Sequence, residues 1–171
     1  MFTDLSRLKF MGAEVKIYDL AKLIKEEVIE IGEGTQIDDF AFIYGGRGIR
    51  IGRYNHICSF TTVIGGGELI TGDYVGISAG CRIMTGTQHY GDGKRMVPVV
   101  PQEQQELVIG KIVLEKDAFL GSNVIVYPNV TIGEGAIISA GGLVTKDVES
   151  WTINVGIPAR VVGMRPKVRF D

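Results

Sequence analysis

The chain has 171 residues, of which 45% are hydrophobic, and a formal net charge of −2, which suits a single domain around one continuous core. No run reaches the roughly 20 apolar residues that span a bilayer, the first ten residues carry charges where a secretory leader needs an apolar stretch, and no basic block offers a footprint for nucleic acid. A cytoplasmic protein with neither membrane nor nucleic-acid partners is expected. Cys58 and Cys81, the two cysteines, are too few for a disulfide framework and read as reduced core thiols.

Glycine is abundant, with 24 residues, yet it is neither clustered as in a linker nor spaced as in collagen, and that directs attention to internal repeats. Met11, Ile17 and Leu23 open a six-residue period that continues through Ile31, Ile37 and Ile43, then Ile51, Ile57 and Val63, then Thr71, Ile77 and Ile83. The last three groups begin 20 residues apart, which is three hexapeptides plus a two-residue bulge. The bulges fall at equivalent places, "GGRG" (45–48) and "GGGE" (65–68).

The period is lost over residues 86–107, a segment that holds His89, one of only two histidines, within "TGTQHY". It returns without bulges at Val108, Leu114, Leu120, Val126, Ile132, Ile138 and Val144, with Ala118, Val124, Val130 and Ala136 as smaller partners two places before the next aliphatic. An amphipathic helix needs spacings of three and four. A step of six suits a short strand and a turn, with glycine or a small polar residue at the bend. Three steps make a triangular coil, and about seven coils stacked at a strand spacing of roughly 4.8 Å give a prism about 30–35 Å long. The expected organisation is one domain over 1–171: coils at about 11–85 and 108–149, a loop at 86–107, and a C-terminal cap at 150–171 in which Trp151 covers the open end of the core.

From "GTQHYGDGKR" through "GLVTKDV" to "VGIPAR" the chain resembles, in order and spacing, the hexapeptide-repeat acetyltransferases. The match is to the sugar O-acetyltransferase branch that includes galactoside and maltose acetyltransferases and the enzymes that acetylate nucleotide-linked sugars for surface polysaccharides. The resemblance implies an all-β fold, a left-handed parallel β-helix. Its handedness rests on the resemblance alone, since general connection rules favour a right-handed crossover. It also implies acetyl-coenzyme A as donor, a sugar or nucleotide-sugar acceptor, no metal, and a homotrimer of parallel prisms whose sites are shared between subunits.

Residue by residue, the resemblance makes His89 the general base, which accords with a pKa near working pH and a place where the chain leaves the prism wall. Asp92 either orients it or makes the turn in "GDG". Ser122 and Ala140, one coil apart, would flank the pantetheine arm, or simply turn the coil tightly. Thr145, Lys146 and Arg160 would meet the nucleotide end, where phosphates favour charge-assisted donors. Close relatives carry a second basic residue at the place of Gly163, and Arg165 or Lys167 could stand in for it. On the acceptor side Asn55, with Ser59, could hold the sugar; Arg95 faces either a sugar phosphate or a carboxylate; His56 decorates a strand edge or lines the pocket. Neither cysteine has an evident histidine partner, which points to direct attack without an acyl-enzyme.

Two other classes compete with this reading. A γ-class carbonic anhydrase uses the same prism, but its zinc needs three imidazoles, and His56 and His89 are the only histidines. A non-catalytic β-helix scaffold would not require a histidine in a broken coil together with "VTKD" and "GIPAR".

Overall fold

In a computed structural model, residues 4–91 and 93–170 are described; Asp92 lies outside them. Short parallel strands wind into three faces. The first stacks Phe10–Met11, Ile29–Ile31, Gly48–Ile51, Glu68–Thr71, Lys111–Leu114 and Val130–Ile132. The second stacks Lys16–Ile17, Gln36–Ile37, His56–Ile57, Gly76–Ile77, Phe119–Leu120, Ile137–Ile138 and Thr152–Val155, and the third runs from Lys22–Ile24 through Arg82–Met84 to Leu143–Val144. Three 3₁₀ turns are the only helical pieces among the described residues, and none is long or apolar enough to cross a membrane.

The six-residue period is the inward-facing column of each face. Ile37 pairs with Ile57, Ile77 with Leu120 and Leu120 with Ile138 on the second face, while Ile43, Val63, Ile83, Val126 and Val144 line the third. These side chains, with Ala118, Val124, Val130 and Ala136, are at most 2% exposed. Each buried aliphatic contributes about 1.5–3 kcal/mol, so the core column is the main stabilising element. Met11, on the first coil, is exposed, because among the described residues no coil lies beneath it.

Pairing partners lie 20 residues apart in the lower coils and 18 apart in the upper ones. Between Ile77 and Leu120 the step is 43, so the whole interruption enters a single coil. Val108 does not restart the coils as its place in the period implies: it sits in a hairpin arm, and the stack resumes at Lys111–Leu114. At the other end the stack continues past residue 149, since Thr152–Val155 pairs with Ile137–Ile138 and is then covered by the antiparallel strand Arg160–Met164.

The corner between the first and second faces repeats one backbone conformation. Glu14, Gly34, Tyr54, Tyr74, Asp117, Gly135 and Trp151 all have φ between 55° and 66°. Glycine and small polar residues were expected at such bends, yet aromatic residues occupy several. Tyr54 stacks on Tyr74 (5.4 Å between centroids), and Phe40 on Phe60 (5.2 Å) at the corner between the second and third faces. A left-handed non-glycine residue costs about 1–2 kcal/mol, and an aromatic pair returns about 0.5–1.5 kcal/mol. Trp151 belongs to this corner and does not lid the core: its ring lies against Gly135, with the Arg165 guanidinium 5.9 Å away. The upper end of the core is closed by buried Thr152 and Asn154, which bond each other at 2.8 Å.

Candidate active site

The corner between the third and first faces holds the 3₁₀ turn Glu26–Val28 in one coil, Gly45–Gly48 in the next and Gly65–Glu68 in the third. In the fourth coil the same corner opens into the long insertion. Its two ends are fixed: the Thr85 hydroxyl donates to Ile64 O (2.9 Å) and accepts from Gly67 N (3.0 Å), while Gly110 N donates to Thr85 O (2.9 Å) and Glu68 N to Gly110 O (3.1 Å). Gly65 is required here, because a Cβ would lie 2.6 Å from Gly86 Cα and φ is +111°.

The extended loop is rooted in a short hairpin. Gly86–Gln88 runs antiparallel to Leu107–Ile109, and His89 N continues the ladder by donating to Glu106 O at 2.8 Å. Cross-strand neighbours place their side chains together, and His89 Nδ1 lies 3.8 Å from Glu106 Oε2. His89 is half-buried, with 41% of its side chain exposed, so the imidazole is both positioned and reachable. Sequence reasoning missed Glu106, because the hairpin register inside an aperiodic segment has no sequence signature.

The hairpin leans on the stack through Tyr90, whose hydroxyl is 3.5 Å from that of Tyr127. This contact lowers the Tyr90 pKa and raises that of Tyr127. Tyr127 N donates to Val144 O in the next coil, so the histidine hairpin and "VTKD" occupy the same corner. Farther out, Arg95 bonds Gln104 through its backbone (2.7 Å) and its Nε (3.0 Å to Oε1). Its described protein partner is therefore an amide and not a carboxylate.

Thr145, Lys146 and Arg160 are brought together. They are exposed around a hollow of about 380 Å³ that Val144, Asp147 and Ala159 also line. Ser122 and Ala140 are exposed and stacked one coil apart, with Gly141 N donating to Ser122 O at 2.8 Å. They turn the corner between the second and third faces, so the strand Leu143–Val144 separates them from Lys146. Arg165 does not substitute at Gly163: it donates to Asp117 O (2.7 Å) and Gly135 O (3.1 Å) at the Trp151 corner, where the Lys167 ammonium also sits 6.0 Å from the ring.

Asn55 leaves the acceptor site. It is 2% exposed, its amide donates to Arg53 O and Gly72 O, each at 2.9 Å, and its oxygen accepts from Thr71 Oγ1 at 2.9 Å. A side chain so engaged fastens adjacent coils from within and cannot reach a sugar. The cysteines also need revision. Cys81 is buried, and burial pushes its thiol up to about 11, but Cys58 is half-exposed and lies 3.8 Å from His56 Nε2. Residues two apart on a strand share a face, which is how this partner arises. Desolvation and the Asp38 carboxylate raise the Cys58 pKa, which keeps the thiol protonated and accords with direct attack.

A prism of stacked hexapeptides with one looped-out histidine hairpin defines a class of acyl-transferring enzymes. Residues 111–146 match the family model "Bacterial transferase hexapeptide (six repeats)", and the chain belongs to this left-handed β-helix acyltransferase family. It is 38% identical over 160 residues to the dTDP-4-amino-4,6-dideoxy-D-glucose acyltransferase of Escherichia coli, covering 93% of this chain and 83% of that one. It is 36% identical over 109 residues to a probable macrolide acetyltransferase of Lysinibacillus sphaericus, covering 57% and 61%. Among solved structures it resembles a mutant of AntD, an N-acyltransferase from Bacillus cereus, in complex with dTDP-4-amino-4,6-dideoxyglucose and coenzyme A. That match has a TM-score of 0.90 and 28% identity, and covers 97% of this chain and 91% of that one. The resemblance read from "GTQHY", "VTKD" and "GIPAR" is thereby borne out, and with it the enzyme class.

Proposed function

We propose that the protein transfers an acetyl group from acetyl-coenzyme A to the amino group of a nucleotide-linked 4-amino sugar, with His89 as general base. The observation that carries this reading is the similarity, along 93% of the chain, to an acyltransferase named for dTDP-4-amino-4,6-dideoxyglucose. The amine attacks the thioester carbonyl, His89 takes the proton released as the C–N bond forms, and the C–S bond breaks to expel coenzyme A as its thiolate, which is then protonated. Glu106, 3.8 Å from Nδ1, serves to orient the ring.

Coenzyme A lies along the third face, its pantetheine passing Ser122 and Ala140 and its phosphates meeting Lys146 and Arg160 with Thr145. A homotrimer supplies the second wall of the pantetheine groove, and the flat outer faces of the prism suit such packing. The proposed place of action is the cytoplasm. The test is free-thiol release from acetyl-coenzyme A, and from longer acyl thioesters, with a panel of acceptors. Rates with dTDP-4-amino-4,6-dideoxyglucose should exceed those with free amino sugars and simple galactosides by about 10²-fold, the scale set by lost remote binding energy. Turnover confined to free galactosides would overturn the acceptor assignment.

A further inference from the structure

Three ligand-bearing side chains outside the acyl-transfer machinery converge on the outer surface of the second face. His56, in the strand His56–Ile57, and Cys58, just past its end, flank the inward Ile57, so both point outward. Asp38 reaches them from the coil beneath, where Gln36 pairs with His56. Asp38 Oδ2 is 3.0 Å from His56 Nε2, and Cys58 Sγ is 3.8 Å from the same nitrogen. One donor atom from each of the three residues falls within 4.8 Å of the others.

Two chemistries use such a trio. An acid–base relay would need the carboxylate on one imidazole nitrogen and the thiol hydrogen-bonded to the other. Here Asp38 bonds Nε2, while the thiol is equidistant from both nitrogens, at 3.8 and 3.9 Å, and so is directed at neither. Oxygen, nitrogen and sulfur gathered within 4.8 Å of one another are the donor set of a chelate. With metal–ligand lengths of about 2.0–2.3 Å, a tetrahedral zinc ion separates O from N by about 3.3 Å and N from S by about 3.6 Å. The observed 3.0 and 3.8 Å lie within a few tenths of those edges. The Gln36 amide donates to Asp38 Oδ1 at 2.8 Å, holding the carboxylate by the oxygen that does not face the imidazole. Asp38 also borders a shallow hollow of about 320 Å³ with Tyr18, Gln36, Asp39 and Ser59.

We infer that Asp38, His56 and Cys58 form a binding site for a thiophilic divalent cation, zinc first among them, which clips two neighbouring coils together. Thiolate and imidazole select zinc over magnesium or calcium, which prefer all-oxygen sets. Binding displaces the thiol proton, so affinity falls as pH is lowered.

The test loads the purified, tag-free full chain with zinc or with cobalt(II). Zinc content by mass spectrometry, with affinity by competition against a chromophoric chelator, should give one ion per chain. Affinity should drop by about 10²-fold or more in Cys58→Ala and His56→Ala and by about tenfold in Asp38→Asn. Cys81→Ala and His89→Ala should keep wild-type affinity. The cobalt-loaded protein should show a near-ultraviolet thiolate-to-cobalt absorption that Cys58→Ala abolishes, a readout that does not depend on comparing stabilities. Failure to bind zinc more tightly than millimolar, or a cobalt band that survives in Cys58→Ala, would overturn the assignment.

Discussion

Alanine substitution along Gly65, Gly66 and Gly67 probes whether the corner beneath the histidine hairpin is the rigid root described above. At Gly65 two penalties combine. The φ of +111° costs a side chain about 1–2 kcal/mol, and a Cβ 2.6 Å from Gly86 Cα and 2.7 Å from Gly86 O forces a backbone shift of about 1–3 kcal/mol. At Gly66 only the φ of +81° applies, because the nearest atom to a Cβ is Tyr44 Cε1 at 3.8 Å. At Gly67 the overlap is with Thr85 O and Gly110 O and no left-handed φ is involved, which gives the steric part alone. For a chain of this size about 1 kcal/mol corresponds to 2–4 °C in Tm. Gly65→Ala, at about 3 kcal/mol, should lower Tm by about 6–12 °C, and Gly66→Ala by about 2–8 °C. Differential scanning fluorimetry ranks the series. Steady-state kinetics should show kcat falling with Gly65→Ala, because Gly86 begins the hairpin arm that carries His89. Equal losses at Gly65 and Gly66, or a Gly65→Ala protein with unchanged Tm, would refute the argument.

Three further outcomes follow from the same geometry. Asn55→Ala strips partners from Thr71 Oγ1 and from the Arg53 and Gly72 carbonyls; it should cost about 2–4 kcal/mol in chemical denaturation while leaving the KM of the acceptor unchanged. Lys146→Ala and Arg160→Ala should each raise the coenzyme A Kd by about tenfold, and the penalty should shrink in high salt; calorimetric titration at two ionic strengths checks both. Asp73 accepts from Arg53 N (2.7 Å), Nε (3.0 Å) and Nη2 (2.7 Å), and these bonds hold its carboxyl below the ordinary value of 3.8. A depressed carboxyl stabilises the fold above its unfolded pKa of about 4 and loses that contribution as pH falls through the lower folded value. Wild type should therefore exceed Asp73→Asn in Tm at pH 6, and the gap should close as pH falls through the depressed folded value.

The parts legible in the sequence are those with a period. Ile31, Ile37 and Ile43, and their counterparts at each later step, are buried where the six-residue spacing puts them, because every coil imposes the same inward direction on its strands. The bulges at residues 45–48 and 65–68 even mark the corner at which the insertion leaves the stack. Legibility ends where contacts depend on register between coils or within the insertion. Asn55 reads as a surface residue because its neighbours Tyr54 and His56 are exposed, yet it faces inward among the Thr35 and Thr71 hydroxyls. Asp38 and Cys58 are 20 residues apart and become neighbours only once coils are stacked. Val108 keeps its place in the spacing by coincidence, while its strand pairs with Gly86–Gln88.

An imidazole held out from the prism by a hairpin, at the corner that also carries the candidate coenzyme A hollow, is the centre of the proposed chemistry. Its most direct test measures kcat and coenzyme A affinity side by side for His89→Ala and for His89→Asn. Turnover should fall by about 10²-fold or more with coenzyme A Kd within about twofold of wild type. Near-wild-type turnover in either variant would contradict it.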